Sequence, residues 1–293
     1  MIKYNKHIDN ILRTRPYRTN INEHYRLDMG ERVVNFPDQF FEDFIRDLKQ
    51  ENFITYPCRY YSDLLTKKIA VHNKVEGQNV FISNGSCSVI RTIFDLTCGN
   101  NSNIVITHPS FPMYEVYADI MNTTTKKVFY DSKLQISIES IKDLVDDKTR
   151  LVVLANPNSP IGDWKGEKEI ENLIIFLKNK GILLLLDEAY ADYAPHSMVH
   201  LIKRHENLII VRTLSKAFGA AGCRVGYAIS SKKIIGLLQK LRDPFPISFL
   251  SIKFALKLFD NIHLVKEYAA AVTEQKKLLT SALKSRAYDI VVG

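Results

Sequence analysis

The chain has 293 residues, of which 46% are hydrophobic and 25% charged, and this ordinary globular composition excludes a disordered, collagen-like or small disulfide-rich protein. The 40 lysine and arginine residues exceed the 32 aspartate and glutamate residues, which leaves a net charge of +8. This mild excess suits an anionic small molecule as well as a nucleic acid, so charge alone does not identify a partner.

The amino terminus and the cysteines predict a reduced, cytoplasmic protein. Residues 1–10 lack the apolar core of a signal peptide, and the most apolar run, Ile182–Leu186, is far too short to span a membrane. The cysteines lie far apart, at Cys58, Cys87, Cys98 and Cys223. Because no C-x-x-C pair occurs, we expect neither a metal site nor a disulfide framework.

The residue pattern divides the chain into three parts. Residues 1–45 are predicted to form an arm that belongs to a small lobe, and residues 46–250 are predicted to form a large domain. From Ser251 to Ser285 the apolar spacing is helical, and Asp289–Val292 then begins like a strand. We therefore expect residues 251–293 to form connecting helices and the start of a small, truncated C-terminal domain.

From about residue 80 the sequence repeats a short apolar run, a turn and a helix-compatible stretch. The runs are Val80–Ile82, Ile104–Ile106, Lys127–Tyr130, Leu151–Leu154, Ile182–Leu186, Leu208–Val211 and Val225–Ile229. Continuous apolar runs are typical of strands buried on both faces. We therefore predict an α/β fold with a three-layer, doubly wound and mainly parallel seven-stranded sheet.

Polar turns follow most of these runs. They comprise residues 83–87, 107–114, 156–162, 187–190 and 213–216. In doubly wound sheets, ligands bind outside the carboxyl ends of the strands. We therefore expect these turns to surround one crevice.

Two of the turn residues predict covalent chemistry on a cationic ring. Lys216 follows a buried strand, and a partly desolvated lysine is suited to form a Schiff base. Asp187 ends a leucine run, where its buried carboxylate would need a cationic partner such as a protonated heteroaromatic nitrogen. The alternatives are a surface lysine at 216 and a helix cap at 187.

Other turn residues predict contacts to a phosphate and to a planar ring. Gly85 and Ser86 begin a helix, where backbone N–H groups bind anions, and Ser215 and Arg224 complete a phosphate cradle. Each of these residues also has a simpler interpretation, as a plain helix cap or an exposed arginine. Tyr114 is placed to stack on the ring, and Asn158 and Tyr190 are placed to hydrogen-bond a phenolate-type oxygen of the ring. Each of the three could instead be a core or turn residue.

The order of these motifs resembles a known family. Residues 156–162 (NPNSPIG), 187–190 (DEAY), 213–216 (TLSK) and 224–227 (RVGY) are similar to the successive signatures of fold-type I, class I and II aminotransferases. Three further segments are similar in particular to histidinol-phosphate aminotransferases: Arg15–Tyr17, Tyr56–Pro57 and Asn84–Ser86. The resemblance covers nearly the whole chain.

The resemblance implies a pyridoxal 5′-phosphate enzyme and a role for each matching residue. Lys216 would carry the Schiff base and move a proton, and Asp187 would pair with the pyridinium nitrogen. Asn158 and Tyr190 would contact the ring's phenolic oxygen, while Tyr114 would stack on the ring. The remaining cofactor-binding residues are Gly85, Ser86, Cys87, Thr213, Ser215 and Arg224. Tyr56 would reach the phosphate of the neighbouring subunit, which implies a homodimer.

The sequence departs from the family pattern at three places. Cys87 replaces the acidic residue that usually follows Gly-Ser, and Asp28–Arg32 replaces an asparagine-rich strand that contacts substrate in relatives. The arginine that holds the substrate α-carboxylate in the family lies beyond the end of this sequence. Either the chain is truncated, which we favour, or the substrate lacks an α-carboxylate.

These features predict an aminotransferase that moves an amino group between an amino donor and a small oxo acid or oxo phosphate. One alternative is a pyridoxal phosphate-dependent decarboxylase of an amino-acid phosphate, which would keep the same cofactor residues. Another is a non-catalytic relative that acts as a binding module. A nucleic-acid partner is the weakest candidate, because the lysines and arginines are dispersed along the chain.

Overall fold

A computed structural model describes residues 2–3, 5–12, 29–288 and 290. The Arg15–Tyr17 segment and Asp28 lie outside the described residues, and so does most of the strand expected at Asp289–Val292. The division of the chain into an arm, a large domain and the start of a small domain stays a prediction.

The described chain contains one seven-stranded sheet, which confirms the predicted fold class. Its strands are β1 (Val80–Asn84), β2 (Asn103–His108), β3 (Thr124–Phe129), β4 (Thr149–Ala155), β5 (Leu183–Asp187), β6 (Leu208–Thr213) and β7 (Val225–Ser230). The spatial order is β1-β7-β6-β5-β4-β2-β3. All pairs are parallel except the two made by β7, which runs antiparallel to β1 and β6.

Helices cover both faces of the sheet. They are α1 (Asp38–Arg46), α2 (Glu51–Ile54), α3 (Arg59–Asn73), α4 (Gly85–Thr97), α5 (Met113–Ile120), α6 (Ile138–Asp143), α7 (Glu167–Lys178), α8 (Lys232–Leu241), α9 (Phe249–Asp260) and α10 (Ile262–Lys284). One core joins the sheet to α3, α6, α7 and α9, and a second joins its other face to α4, α5 and α8.

The leucine run of β5 is buried on both faces of the sheet, as its continuous apolar pattern predicts. Leu184 and Leu186 pack into one core, and Leu183 and Leu185 pack into the other, because successive side chains of a strand point to opposite faces. A central strand between two helix layers therefore has no exposed face and needs no polar residues. By contrast, β3 lies at the edge of the sheet, where only Val128 is fully buried.

The antiparallel direction of β7 brings an additional residue to the crevice. Because β7 runs antiparallel to β6 and starts where β6 ends, Arg224 lies beside the carboxyl ends of the parallel strands. Arg224 itself adopts a left-handed backbone conformation, with φ of 51°. This direction places Arg224 next to the turn that follows β6.

The start of β7 touches the start of α4 so closely that only glycine fits. A Cβ atom on Gly226 would overlap the backbone nitrogen of Ser86 and would lie 2.8 Å from the carbonyl oxygen of Gly85. Gly85 has a φ of +73°, which a side chain would strain. The two glycines therefore hold the amino terminus of α4 against the sheet.

We expect Gly226→Ala to lower the free energy of unfolding by about 1–3 kcal/mol, because rigid backbone atoms block the added methyl group. The matched control is Gly236→Ala on the exposed side of α8, where a Cβ would meet nothing within 4 Å. This control should raise stability by about 0.5–1 kcal/mol through helix propensity. Urea denaturation of both variants checks the difference, and equal effects would contradict the close approach.

The amino-terminal and carboxyl-terminal segments pack together outside the sheet. Phe36, Phe40 and Phe44 surround Phe254 of α9, with ring centroids 5.0–5.8 Å apart. The apolar spacing of residues 251–285 corresponds to two successive helices, α9 and α10, that meet at Asn261. This packing anchors the segment that leads from residue 29 into the crevice.

Candidate active site

Lys216 lies in the turn after β6, where its amine faces the segment Met29–Gly30. The amine donates a hydrogen bond to the carbonyl oxygen of Met29. It also lies 5.2 Å from the ring centroid of Tyr190, which follows β5. Lys216 is half-buried. The predicted reactive lysine is therefore inside the crevice rather than on an open surface.

Asp187 ends β5 and is 5% exposed. Its Oδ2 atom accepts a hydrogen bond of 2.6 Å from the Tyr114 hydroxyl, and its Oδ1 atom accepts one of 3.0 Å from the Ala189 backbone N–H. Burial raises the pKa of Asp187, while the bond from Tyr114 and the nearby Lys216 amine act in the opposite direction. The structure thus holds a buried acid that lacks a cationic partner in direct contact among the described residues.

The predicted phosphate residues gather at the amino terminus of α4. Here backbone N–H groups have no partners within the helix, and Asn84 makes no side-chain capping bond to the described first turn. The Arg224 guanidinium covers Gly85, since a Cβ on that glycine would lie 3.1 Å from Cζ. Arg224 also donates to the Ser215 hydroxyl at 3.3 Å. The exposed arginine and the helix amino terminus are of the type that binds anions, and this cluster of Gly85, Ser86, Ser215 and Arg224 is called the cradle below.

Thr213 and Cys87 support this cradle in different ways. Thr213 is buried, donates from its hydroxyl to Ser215 Oγ at 3.0 Å and accepts from the Ser215 N–H at 3.1 Å. These bonds orient the Ser215 hydroxyl toward Arg224. Cys87 is half-buried in the first turn of α4, and burial raises the pKa of its thiol although Arg224 acts to lower it. Cys87 is therefore a neutral neighbour of the cradle.

Asn158 is buried beside the crevice, and its side-chain amide forms hydrogen bonds with neighbouring protein groups. Its amide nitrogen donates to the carbonyl oxygen of Pro109 and to the Tyr130 hydroxyl, both at 2.9 Å. Its amide oxygen accepts from the Ser110 hydroxyl at 2.7 Å. Both N–H groups are engaged, so contact with a ring oxygen requires one of these bonds to break. The predicted cofactor role of Asn158 stays a prediction.

The aromatic residues after β2 are arranged differently from the expectation. Tyr114 is 1% exposed, and its hydroxyl is committed to Asp187, so the ring presents no open face for stacking. Phe111, three residues earlier, is half-buried and contacts the Tyr114 ring edge-on at 5.5 Å. Sequence reasoning missed Phe111, because both aromatics lie in the same turn and their relative burial is a tertiary property.

Tyr56 lies on the surface between α2 and α3 and is 76% exposed. Its ring stacks on that of Phe245 at 4.4 Å, and among the described residues no hydrogen bond or ring contact joins it to Lys216 or Asp187. Tyr56 is therefore not gathered with the crevice residues of its own chain, which is compatible with the predicted reach into a neighbouring subunit.

The family model described as "Aminotransferase class I and II" matches residues 25–293. The chain belongs to this family. It is 30% identical to the histidinol-phosphate aminotransferase of Pyrococcus furiosus over 271 residues, which cover 92% of this chain and 78% of that protein. The corresponding enzyme of Caldanaerobacter subterraneus is 31% identical, over 89% of this chain and 73% of the relative.

Solved aminotransferase structures share the fold. The histidinol-phosphate aminotransferase of Clostridium acetobutylicum superposes with a TM-score of 0.77 at 23% identity, over 87% of this chain and 75% of that one. The enzyme from Sinorhizobium meliloti, solved in complex with pyridoxal 5′-phosphate, gives a TM-score of 0.76 at 23% identity, over 85% and 68%. The predicted aminotransferase activity and the predicted cofactor are confirmed by the family membership.

The crevice of this aminotransferase fits pyridoxal phosphate on two observations. The cradle between Gly85 and Arg224 stays open because a side chain at Gly85 would meet the guanidinium. The buried Asp187 carboxylate, whose pKa is raised by burial, would be stabilised by a protonated ring nitrogen. The cradle would bind the phosphate of that cofactor, and the Asp187 carboxylate at the same sheet edge would pair with its protonated ring nitrogen.

An ion pair next to Asp187 was missed by the sequence analysis. Glu188 accepts from Arg212 at 3.0–3.1 Å, and both side chains are buried. Glu188 also accepts from the Ser197 hydroxyl and from the Met198 N–H, each at 2.6 Å. One sequence signal was available, because Arg212 is a charged residue that directly follows the apolar run Leu208–Val211. The pairing of Asp187 with Val211 across β5 and β6, which only the structure shows, then makes Glu188 and Arg212 neighbours. The pair fixes the turn that carries Tyr190.

We expect Glu188→Gln to lower the free energy of unfolding by about 3–5 kcal/mol, because it leaves the Arg212 guanidinium buried without a counter-charge. Replacing Asp95, which forms an exposed pair with Arg91 on α4, should change stability by less than about 1 kcal/mol. Chemical denaturation of Glu188→Gln and Asp95→Asn measures both. Similar losses in the two variants would contradict the buried pair's importance.

Among the described residues, no helix is long and apolar enough to cross a membrane. The same part of the chain holds no group of three or more residues suited to bind a metal ion. All four cysteines are free thiols.

Proposed function

We propose that this aminotransferase binds pyridoxal phosphate between the α4 cradle and Asp187, with Lys216 as its attachment point. The observation that carries the proposal is the convergence of three groups at one sheet edge. Asp187 ends β5 beside β6, whose following turn carries Lys216, and Arg224 lies against Gly85 of α4 and donates to the Ser215 hydroxyl next to Lys216. An amine, an acid and an anion cradle are thus arranged along one crevice.

Each residue has a defined task in this arrangement. The N–H groups of Gly85 and Ser86, with the Ser215 hydroxyl and Arg224, would hold the phosphate. Asp187 would hold the ring nitrogen in its protonated form, and Tyr114 would keep the Asp187 carboxylate oriented through their 2.6 Å bond. When bound, pyridoxal phosphate supplies an aldehyde that accepts amino groups and a ring that withdraws electrons.

Lys216 would move the proton that transamination requires. Its amine lies at the carboxyl edge of the sheet beside Tyr190, whose hydroxyl would contact the ring's phenolic oxygen. Phe111 is better suited to a stacking role than Tyr114, because its ring is partly accessible and lies in the turn after β2. Asn158 would donate a hydrogen bond to the ring's phenolic oxygen in place of its present bond to the Pro109 carbonyl or the Tyr130 hydroxyl.

The substrates we propose are an amino donor and an oxo acid or oxo phosphate. Support comes from the names of the relatives, which are histidinol-phosphate aminotransferases, and from the chain's net charge of +8, which favours anionic substrates. A phosphorylated amino compound is therefore the first substrate class to examine.

We further propose that the enzyme is a cytoplasmic homodimer in which Tyr56 contacts the phosphate of the partner subunit. The surface around Tyr56 is strongly apolar for a monomer, with Phe53, Ile54 and Tyr60 more than 60% exposed. Burial of such side chains against a second copy would stabilise the pair. Four free thiols are typical of a reducing compartment.

The test is to load the purified protein with pyridoxal phosphate and record its visible absorbance. We expect a band that borohydride abolishes while fixing the cofactor on Lys216, which peptide mass spectrometry would locate. Amino acids and amino phosphates should then change the band, with nitrogen transferred to an oxo acceptor. Release of carbon dioxide instead would favour the decarboxylase, and absence of any band would overturn the proposal.

A further inference from the structure

The segment Met29–Arg32 crosses the crevice directly in front of Lys216. Its first residue accepts the hydrogen bond of the Lys216 amine. Its second, Gly30, is so close that an added Cβ would lie 3.5 Å from Lys216 Nζ and 3.2 Å from the Tyr190 hydroxyl. The segment therefore forms one wall of the space in which the substrate amine must meet Lys216.

Arg32 continues this wall along the loop that follows Lys216. The Arg32 stem lies against Gly219, where an added Cβ would come within 3.1 Å of Cβ and 3.2 Å of Cγ. The Gly219 N–H in turn donates to the Lys216 carbonyl oxygen at 2.8 Å. The aliphatic stem of Arg32 thus packs on the same loop that carries the reactive amine.

Aromatic rings fix the position of the Arg32 guanidinium. Its Cζ atom lies 4.5 Å from the ring centroid of Phe36 and 4.3 Å from that of Tyr268 on α10. Its Nε atom donates to the carbonyl oxygen of Val34 at 2.9 Å. Two rings and one hydrogen bond hold the planar group in a defined orientation, which reduces the entropy lost when it binds a ligand.

One nitrogen of the Arg32 guanidinium, Nη1, is a donor that is not satisfied in this fixed position. The Nη1 atom is buried and has no hydrogen-bond partner among the residues that the structure describes. No carboxylate among the described residues forms an ion pair with Arg32, and burial lowers its pKa, although an arginine stays charged. A buried cationic donor without an acceptor is unfavourable, so an anion that reached it would be strongly favoured.

We propose that Arg32 binds the anionic group of the amino substrate, a carboxylate or a phosphate monoester, while the substrate amine faces Lys216. This inference rests on the proposed function of the crevice. Arginine suits the task because its fork of N–H groups matches both oxyanions in geometry. Arg32 is therefore a substrate-binding residue that the family-like motifs did not identify.

The alternative is that Arg32 only pins the segment from residue 29 to 36 onto α10. The two roles predict different behaviour toward substrates that carry or lack an anionic group. Two matched pairs of probes separate them: L-alanine with L-alaninamide for a carboxylate, and O-phosphoethanolamine with ethanolamine for a phosphate. Each probe keeps the reacting amine and differs in the anionic group alone.

The experiment measures, for protein loaded with pyridoxal phosphate, the rate at which each probe changes the cofactor absorbance. We expect the wild type to prefer the anionic member of at least one pair. Arg32→Gln should reduce that preference by about 10- to 100-fold, the usual effect of losing a charge-assisted hydrogen bond. Arg32→Lys, which keeps the charge but not the fork, should fall between, and Arg91→Gln on the surface of α4 should match the wild type.

The outcomes are separable. A normal cofactor band with an equal loss toward anionic and neutral probes would overturn the inference and leave Arg32 as a structural pin. A wild type without preference in either pair would overturn it as well. Failure of the wild type to take up cofactor would overturn the proposed function, and this inference with it. The pair in which preference is lost identifies the oxyanion as carboxylate or phosphate.

Discussion

Lys216→Ala is expected to lower kcat by at least about 10,000-fold, because it removes both the attachment point for the cofactor and the group that moves the proton. Cofactor uptake through the cradle of Gly85, Ser215 and Arg224 should persist, since none of these residues touches the deleted amine. Borohydride should no longer fix the cofactor to the protein. Steady-state kinetics and mass spectrometry of the reduced protein measure these effects.

Two further variants sharpen this result. Lys216→Arg keeps a cation that can donate to the Met29 carbonyl but cannot form the covalent bond, so it should be as inactive as Lys216→Ala. Lys240→Ala removes an exposed lysine at the end of α8 and should retain full activity. Substantial activity in Lys216→Arg would show that the lysine acts through its charge alone.

Asp187→Asn is expected to lower kcat by about 100- to 10,000-fold, because a neutral amide cannot stabilise a protonated ring nitrogen. The variant nearly preserves side-chain volume, so the buried contacts with Tyr114 and Ala189 limit the structural change. Exposed Asp119 at the end of α5 provides the control, Asp119→Asn, which should retain activity. Kinetics at saturating cofactor separates turnover from cofactor binding.

The same substitution has a separate signature in the pH dependence of stability. Since burial raises the pKa of Asp187, the folded cofactor-free protein keeps this proton at pH values where the unfolded chain, with a pKa of about 3.9, has lost it. The contribution of Asp187 therefore falls as pH rises from the unfolded to the folded pKa. Wild type should lose stability relative to Asp187→Asn across that window. Parallel denaturation curves at every pH would contradict the assignment.

Strand prediction succeeded where the local pattern and the tertiary environment agree. The run Leu208–Val211 is continuous and apolar because β6 lies between two helix layers, and neither face meets water. The edge strand β3 contains lysines for the opposite reason, since most of its side chains remain partly exposed to water. The antiparallel direction of β7 was not predicted, because an apolar run has the same appearance in either direction.

The candidate site was predictable where a residue type is unusual for its position. A lysine after β6 and an aspartate ending β5 are exceptional at buried strand ends, so the sequence alone indicates Lys216 and Asp187 as candidate site residues. Tyr114 and Asn158 are residue types that also fill cores and turns. Their actual partners, Asp187 for the tyrosine and Tyr130 for the asparagine, depend on contacts between segments distant in the chain.

The chain's own sequence determined the seven-stranded α/β architecture and the order of its motifs, and it predicted the acid and the amine of the candidate site, because hydrophobic periodicity and charged residues in apolar runs are local properties. Tertiary structure alone decided that Arg224 reaches Gly85, that Tyr114 bonds to Asp187 and that Arg32 sits between Phe36 and Tyr268 beside the Lys216 loop. Those contacts join residues far apart in the chain, and their energies depend on burial and orientation that appear only when the helices close over the sheet.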